Sequence, residues 1–514
     1  MARLTDYTSY SDAQAHFSRQ RLWDLFDGAR ERLNIAHECV DRHVASGGTA
    51  LRIAHADGAD EIIGFAELAA GSARFAHYLQ SRNIEHGDRI AVMLEPSLAF
   101  YIAMFGAMKA GAVAVPMFTL FGPDGIRLRA DDCRPRLIVT NVEKAEDALY
   151  DGGPEIVVAD AAFLQSLNGF DDSFKWRTAG DDLAVLQYTS GTTRNLPEAV
   201  RHSHRSIVTL MIAALYATGI RPGDRFFCPS SPAWGHGLWH GTLAPLALGV
   251  STGTFSGRFD AVRLLRALQD FGITNLSAAA THYRMMRNSG HAGDYTYSIE
   301  KLSFTGEPID SETAGFVEAL FGAKVCSMYG TTEVGVILAN YPGAADLEVR
   351  AGSLGKPVPG VAVEVHGPDG KPLPPGRTGE LVVRRRDGWF PTKDLGRTDA
   401  DGYFYHAGRA DDVIISAGWT MSAVEIEDAI LKHDRVAEAA VIGVPDDTRG
   451  QVVRAYIVRK GDPASGLEAE IQDLVRANLS RHEYPRQIEF VDALPKTPAG
   501  KVNRKALRDA ARDA

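Results

Sequence analysis

The chain has 514 residues, 45% of them apolar and 23% charged, with a net charge of −10. That length exceeds what one hydrophobic core organises, so a multi-lobed body with an appended domain is expected. The acidic balance speaks against a nucleic-acid partner for the chain as a whole. Cys39, Cys133, Cys228 and Cys326 are too few and too scattered for a disulfide framework, and no pair has metal-ligand spacing.

In chain order, the polar start "MARLTDYTSYSD" carries no signal peptide. The most apolar stretch, residues 102–122, contains Lys109, several glycines and Pro116, and reads as a buried helix, turn and strand rather than a membrane span. A cytoplasmic protein is expected. Strand-like runs "DRIAVML" (88–94), "AVAVP" (112–116), "RLIVT" (136–140), "EIVVAD" (155–160), "LAVLQYTS" (183–190), "TNLSAAA" (274–280), "KLSFTG" (301–306) and "KVCSMYG" (324–330) alternate with helical patterns. This alternation predicts parallel sheets covered by helices, an α/β fold. From about residue 342 to 408 the texture turns Pro- and Gly-rich with short alternating strands, which predicts a small β-rich subdomain within an N-terminal domain ending near residue 410. The remainder, residues 411–514, reads as a compact α+β domain. Its last 34 residues lean basic, with Arg481, Arg486, Lys496, Lys501, Arg504, Lys505, Arg508 and Arg512 against five acids. A nucleic-acid tail has that charge, and so does a domain that grips a phosphorylated small molecule; beyond residue 490 no aromatics are interleaved for base stacking.

Four motifs carry chemistry, and each alone also has an ordinary structural reading. "YTSGTT" (188–193) follows a strand and offers backbone N–H groups and hydroxyls to an anion, though a Ser/Thr/Gly cluster is more often a solvated turn. In "MYGTTE" (328–333) a tyrosine suits a base, a threonine a phosphate and Glu333 a divalent ion; the bland alternative is a capped turn. Asp394, in "PTKDLGRTDADG", suits two ribose hydroxyls, or is one charge of a polar turn. Lys501, in "PKTPAGKVNRK", sits on a loop that can deliver a cation to developing negative charge, or belongs to a solvated tail. His202 and His204 alternate on a probable strand and His37 and His43 lie six apart; neither pair has a third ligand, so a histidine metal site is not expected.

The order of these pieces, together with "MKAGAVAVPM" (108–117), "TGEP" (305–308), "GYFYHAGRADDVIISAG" (402–418) and "PKTPAGK", resembles the adenylate-forming acyl-CoA synthetases over most of the chain. "SAGWTMSAVEIEDAI", "DDTRGQVV" and "EYPRQIEFV" resemble the medium-chain branch. The resemblance implies an ATP-dependent carboxylic acid–CoA ligase that forms an acyl-adenylate and pyrophosphate, then a CoA thioester and AMP. It implies ATP, Mg2+ and CoA, and a small C-terminal domain that moves between half-reactions. Residue by residue, ATP falls on Thr189, Ser190, Gly191, Thr192, Thr193, Arg194, Gly306, Glu307, Tyr329, Gly330, Thr331, Thr332, Asp394, Arg409 and Lys501. Lys501, Thr332 and Glu333 are the implied catalytic residues, with Glu333 the magnesium ligand and Asp411 the hinge. CoA falls on Ala417, Gly418, Trp419, Arg449, Tyr484, Pro485 and Arg486, and the acyl pocket on Trp234, His236 and Gly330. The expected partners are small molecules, with no nucleic acid and no membrane; a homodimer is compatible.

Two departures stand out. Where the family has "TSGTTG-LPK", this chain has "TSGTTRNLPE", with an extra residue and Glu198 for lysine. Lys393 also stands where glycine usually precedes the ribose aspartate. Two rival functions remain compatible with the sequence: an adenylating enzyme that loads a carrier protein, and a non-catalytic nucleotide- or acyl-binding relative.

Overall fold

The computed structural model describes residues 2–188, 199–331, 334–409, 414–416, 419–421, 423–446, 450–461, 466–479, 484–497 and 502–513. All eight strand-like runs form strands. One six-stranded sheet runs in the order Glu155–Val158, Leu137–Thr140, Arg89–Met93, Val113–Pro116, Leu183–Tyr188 and Ala199–Ser203. Its pairings are parallel until the last, where Ala199–Ser203 returns antiparallel with Tyr188 opposite Ala199. The central strands are buried along almost their whole length, as expected of parallel strands covered on both faces.

The apolar stretch folds as expected. Leu98–Ala110 is a helix whose N-terminal N–H group, at Phe100, is capped by the Ser97 hydroxyl, and it stops at Gly111, where φ is +77°. Glycine adopts that left-handed conformation without a Cβ clash. Lys109 is buried at the end of this helix because Asp41 lies 2.6 Å from its ammonium group and the Ala69 carbonyl accepts a further hydrogen bond at 2.9 Å. No helix among the described residues is long and apolar enough to cross a membrane.

A second, larger sheet has thirteen strands. Its parallel centre contains Lys301–Thr305, Asn275–Ala279 and Val325–Thr331. Beyond Val325–Thr331 the pairing turns antiparallel through Gly335–Ala339 and Ser353–Pro357 to Phe404–Arg409, Gly388–Thr398, Gly379–Arg385 and Val363–His366. The Pro/Gly-rich segment is therefore antiparallel β structure, as its texture indicates, but it extends the large sheet rather than forming a sheet of its own.

The C-terminal part is α+β. Strands Val436–Asp446, Gly450–Arg459 and Gln487–Phe490 form one sheet, carrying helices Ala423–Leu431, Leu467–Asn478 and Arg504–Asp513. It has its own apolar core around Ile426, Ile430, Val441, Ile457 and Ile471. Basic residues of the tail pair with acids of the same part: Arg504 grips Glu427 at 2.6 and 2.8 Å, and Lys496 lies 2.8 Å from Glu438. This internal pairing accounts for part of the local basic excess without a polyanion.

Candidate active site

A cavity of about 1450 Å3 lies where the C-terminal ends of the parallel strands meet the antiparallel extension. Open α/β sheets bind ligands outside the carboxyl ends of their strands, and this cavity is in that place. Strand Lys301–Thr305 delivers Gly306 and Glu307 to it, Val325–Thr331 delivers Tyr329, Gly330 and Thr331, and Gly388–Thr398 delivers Asp394.

Tyr329 and Asp394 are brought together from 65 positions apart: the tyrosine hydroxyl donates to Asp394 Oδ2 at 2.7 Å. Asp394 is 5% exposed. Its backbone N–H donates to the Thr392 hydroxyl, which itself donates to the Leu381 carbonyl, so the turn that aims the carboxylate is held from both sides. Lys393, between them, has φ of +63°. The position usually held by glycine is thus a left-handed one, and lysine occupies it at a steric cost of roughly 1–2 kcal/mol. Arg409 is the cross-strand partner of Asp394.

Gly330 is fixed by close approach. A Cβ there would lie 1.9 Å from the Gly335 carbonyl oxygen, so no larger residue fits the tight hairpin that follows Tyr329. Thr331 borders the cavity with its hydroxyl oxygen buried and unpartnered among the described residues. A buried hydroxyl in that condition needs a partner that the described residues do not supply. Glu307 accepts a hydrogen bond from Thr281 and lies 3.8 Å from Arg284.

Trp234 and His236 also line the cavity. His236 opens a π-helix over His236–Leu243, in which the Ala244 N–H reaches back to the Trp239 carbonyl. Such i→i+5 turns are rare and concentrate at functional sites. Three lining residues here went unread in the sequence: Gln187, Trp239 and His240. Trp239 and His240 stand three and four positions after His236, the spacing that marks one helical face. His202 lines the cavity as well, whereas His204 is buried elsewhere and accepts a hydrogen bond from the Ile35 N–H. The two histidines therefore do not face one way, because the strand ends at Ser203. No cluster of three metal-ligating side chains occurs among the described residues.

Residues of the C-terminal part close one side of the cavity: Ala423, Glu425, Asp428, Leu494 and Val502 among them. Asp428 is exposed at the cavity wall, where desolvation by the surrounding chain, then the neighbouring Glu427 and Asp310, push its carboxyl up to about 7. Tyr484, Pro485 and Arg486 lie together but do not line the cavity; the guanidinium groups of Arg476 and Arg486 sit 3.9 and 4.8 Å from the Tyr484 ring. Trp419 lies on the short strand Trp419–Met421. Phosphate-loop residues 189–194 with Glu198, and Thr332, Glu333, Asp411, Ala417, Gly418, Arg449 and Lys501, lie outside the described residues.

Comparison with known proteins fits this geometry. Residues 42–389 match the AMP-binding enzyme family, and residues 425–501 match the AMP-binding enzyme C-terminal domain. The chain is 30% identical to acetyl-coenzyme A synthetase of Bacillus subtilis, covering 93% of this chain and 90% of that protein. It is 28% identical to the mitochondrial acyl-coenzyme A synthetase ACSM3 of Rattus norvegicus, over 93% of this chain and 90% of the relative. Among solved structures, the anthranilate CoA ligase AuaEII in complex with anthranoyl-AMP superposes with a TM-score of 0.86 at 25% identity, covering 96% of this chain and 99% of that one. A cavity at the strand ends, bordered by residues of the C-terminal part, thus coincides with matches along nearly the whole chain, and the chain belongs to the AMP-binding enzyme family as an AMP-forming acid–CoA ligase.

Proposed function

We propose that ATP lies along the cavity with its ribose on Asp394, its base beside Tyr329 and the Gly306–Glu307 turn, and its α-phosphate at Thr331 and Thr332. The observation that carries this is the part-buried Tyr329–Asp394 hydrogen bond, which orients a carboxylate able to accept two neighbouring hydroxyls. The carboxylate of the acid attacks the α-phosphorus, the bond to the bridging oxygen of pyrophosphate breaks, and pyrophosphate leaves. The CoA thiol then attacks the carbonyl of the mixed anhydride, and AMP leaves as the thioester forms.

A magnesium ion would need only one or two protein carboxylates beside the phosphates of ATP, and Glu333 is the motif's candidate to hold it. Bound there, it would neutralise charge on the phosphates during attack. The unpartnered Thr331 hydroxyl beside that position fits a phosphate-bearing site.

Lys501 is proposed to neutralise the developing charge at the α-phosphate. Its neighbour Val502 lines the cavity and pairs with Lys496, whereas Tyr484 and Arg486 do not line it. This fits a lid turned towards adenylation, with the CoA-binding residues Ala417, Gly418, Trp419, Arg449, Tyr484, Pro485 and Arg486 brought in by rotation about Asp411. A cytoplasmic setting fits cysteines that are all buried and unpaired.

The test separates the half-reactions. Lys501→Ala is expected to lose about 10²–10³ in acid-dependent ATP–pyrophosphate exchange, the usual loss for one transition-state charge donor. Synthetic acyl-adenylate plus CoA should still give thioester. Exchange within a few-fold of the parent would remove Lys501 from the adenylation step.

A further inference from the structure

The cavity has an end whose chemistry the ligase reaction itself leaves unused. The walls there are aromatic: the Trp239 ring lies 4.5 Å from His202, and Trp234 lies 5.5 Å from His236. His236 is held by its neighbours, with Ser230 Oγ 3.0 Å from Nδ1 and Ser277 Oγ 2.9 Å from Nε2. It is a fixed wall.

His240 differs. Its ring centroid is 6.1 Å from that of His236 across the π-helical turn, and its Nδ1 is buried without a hydrogen-bond partner among the described residues. His202, on the strand Ala199–Ser203, has ring contact with Trp239 but no side-chain hydrogen bond among the described residues, and it borders the same cavity. Burial lowers both imidazoles to about 4, so both are neutral near pH 7. A neutral imidazole carries one donor and one acceptor. Beside them, Gln187 is engaged by the Trp239 indole N–H at 3.0 Å.

We propose, resting on the ligase reading, that the acid activated by this enzyme carries a hydroxyl at the end remote from its carboxylate, and that His240 and His202 receive it between the rings of Trp234 and Trp239. A hydroxyl both donates and accepts, so it satisfies a neutral imidazole in either tautomer. An apolar end would leave the imidazole groups at the cavity wall without a polar partner there, and a site built to bond a hydroxyl discriminates against the analogue that lacks it. A second carboxylate would lose its water against neutral rings. The assignment makes His240 and His202 specificity residues rather than participants in adenylation.

The test uses the purified full chain in pyrophosphate-release assays with matched acids: 4-hydroxybutyrate and butyrate, 6-hydroxyhexanoate and hexanoate, 4-hydroxyphenylacetate and phenylacetate, with succinate and adipate alongside. In at least one pair the hydroxy acid is expected to exceed its partner by about tenfold or more in kcat/KM, and the dicarboxylates to be poorer. In His240→Phe and His202→Phe that ratio should fall towards one, with thermal midpoints near the parent's marking intact folds. A variant that unfolds is replaced by His240→Leu or His202→Leu. Deoxy acids preferred in every pair, a dicarboxylate preferred, or an unchanged ratio in folded variants of both positions would overturn the assignment. No release with any acid, while ATP still binds, would instead overturn the ligase reading and this one with it.

Discussion

Tyr329→Phe isolates the bond that holds Asp394 at the end of the cavity assigned to the nucleotide. The substitution keeps the ring and removes only the hydroxyl that donates to Asp394 Oδ2 at 2.7 Å. A hydrogen bond to a charged acceptor is worth about 1.5–3 kcal/mol, and each 1.36 kcal/mol is a factor of ten, so loss of the whole bond corresponds to roughly 10- to 150-fold. The imidazole Nε2 of His406 lies 3.9 Å from Asp394 Oδ1, beyond hydrogen-bonding range, and does not substitute as it stands. Because the carboxylate is assigned to the ribose, bound alike in ground and transition states, the loss should fall on the KM for ATP and leave kcat within a few-fold. The assay is ATP–pyrophosphate exchange over a range of ATP at saturating acid. Asp394→Asn should raise KM further, and the double variant should be little worse than Asp394→Asn alone, since coupled partners are not additive. A KM for ATP within twofold of the parent in Tyr329→Phe, with Asp394→Asn severely impaired, would refute the claim that the hydroxyl orients the carboxylate. A drop in thermal midpoint with kcat and KM unmoved would make the bond structural only.

Lys393 tests the backbone at the turn that aims Asp394: Lys393→Gly should be neutral or slightly stabilising, because relief of about 1–2 kcal/mol of left-handed strain is offset by roughly 0.5–1 kcal/mol of glycine flexibility. Lys393→Val should destabilise by more than about 1 kcal/mol in chemical denaturation, since a β-branched residue fits φ of +63° worst. Asp428 carries a pH signature. Its carboxyl is raised from 3.8 to about 7 in the folded chain, which therefore binds more protons than the unfolded chain between those values. Stability should fall as pH rises through that window and level off above it, and Asp428→Asn should flatten the slope of thermal midpoint against pH. The amplitude should be modest, because the side chain is open to the cavity's water. Finally, Arg486→Ala, and Arg476→Ala beside it on Tyr484, should raise the KM for CoA and leave that for ATP unchanged; an unmoved CoA dependence in both would remove this corner from CoA binding.

Local pattern decided the elements. The buried runs around Ile90, Ala114 and Ile138 have no polar alternation, so they form parallel strands covered on both faces. Ser97 and Gly111 mark the two ends of the helix between two of those strands, and the motif order carried the family and the reaction. What local pattern did not decide was which distant groups meet. Tyr329 and Asp394 become partners only because four antiparallel pairings, through Gly335–Ala339, Ser353–Pro357 and Phe404–Arg409, link Val325–Thr331 to Gly388–Thr398 in one sheet. Lys393 could be noticed in the sequence as an odd residue, but its positive φ is set by the turn that aims Asp394. The substrate end was least legible. Gln187, His202, Trp239 and His240 come from two strands and a π-helix, and no spacing in the chain encodes a wall assembled from three elements. Whether a histidine is a buried neutral hydrogen-bonding group or a solvated charge depends on desolvation, and desolvation exists only once the surrounding chain has packed.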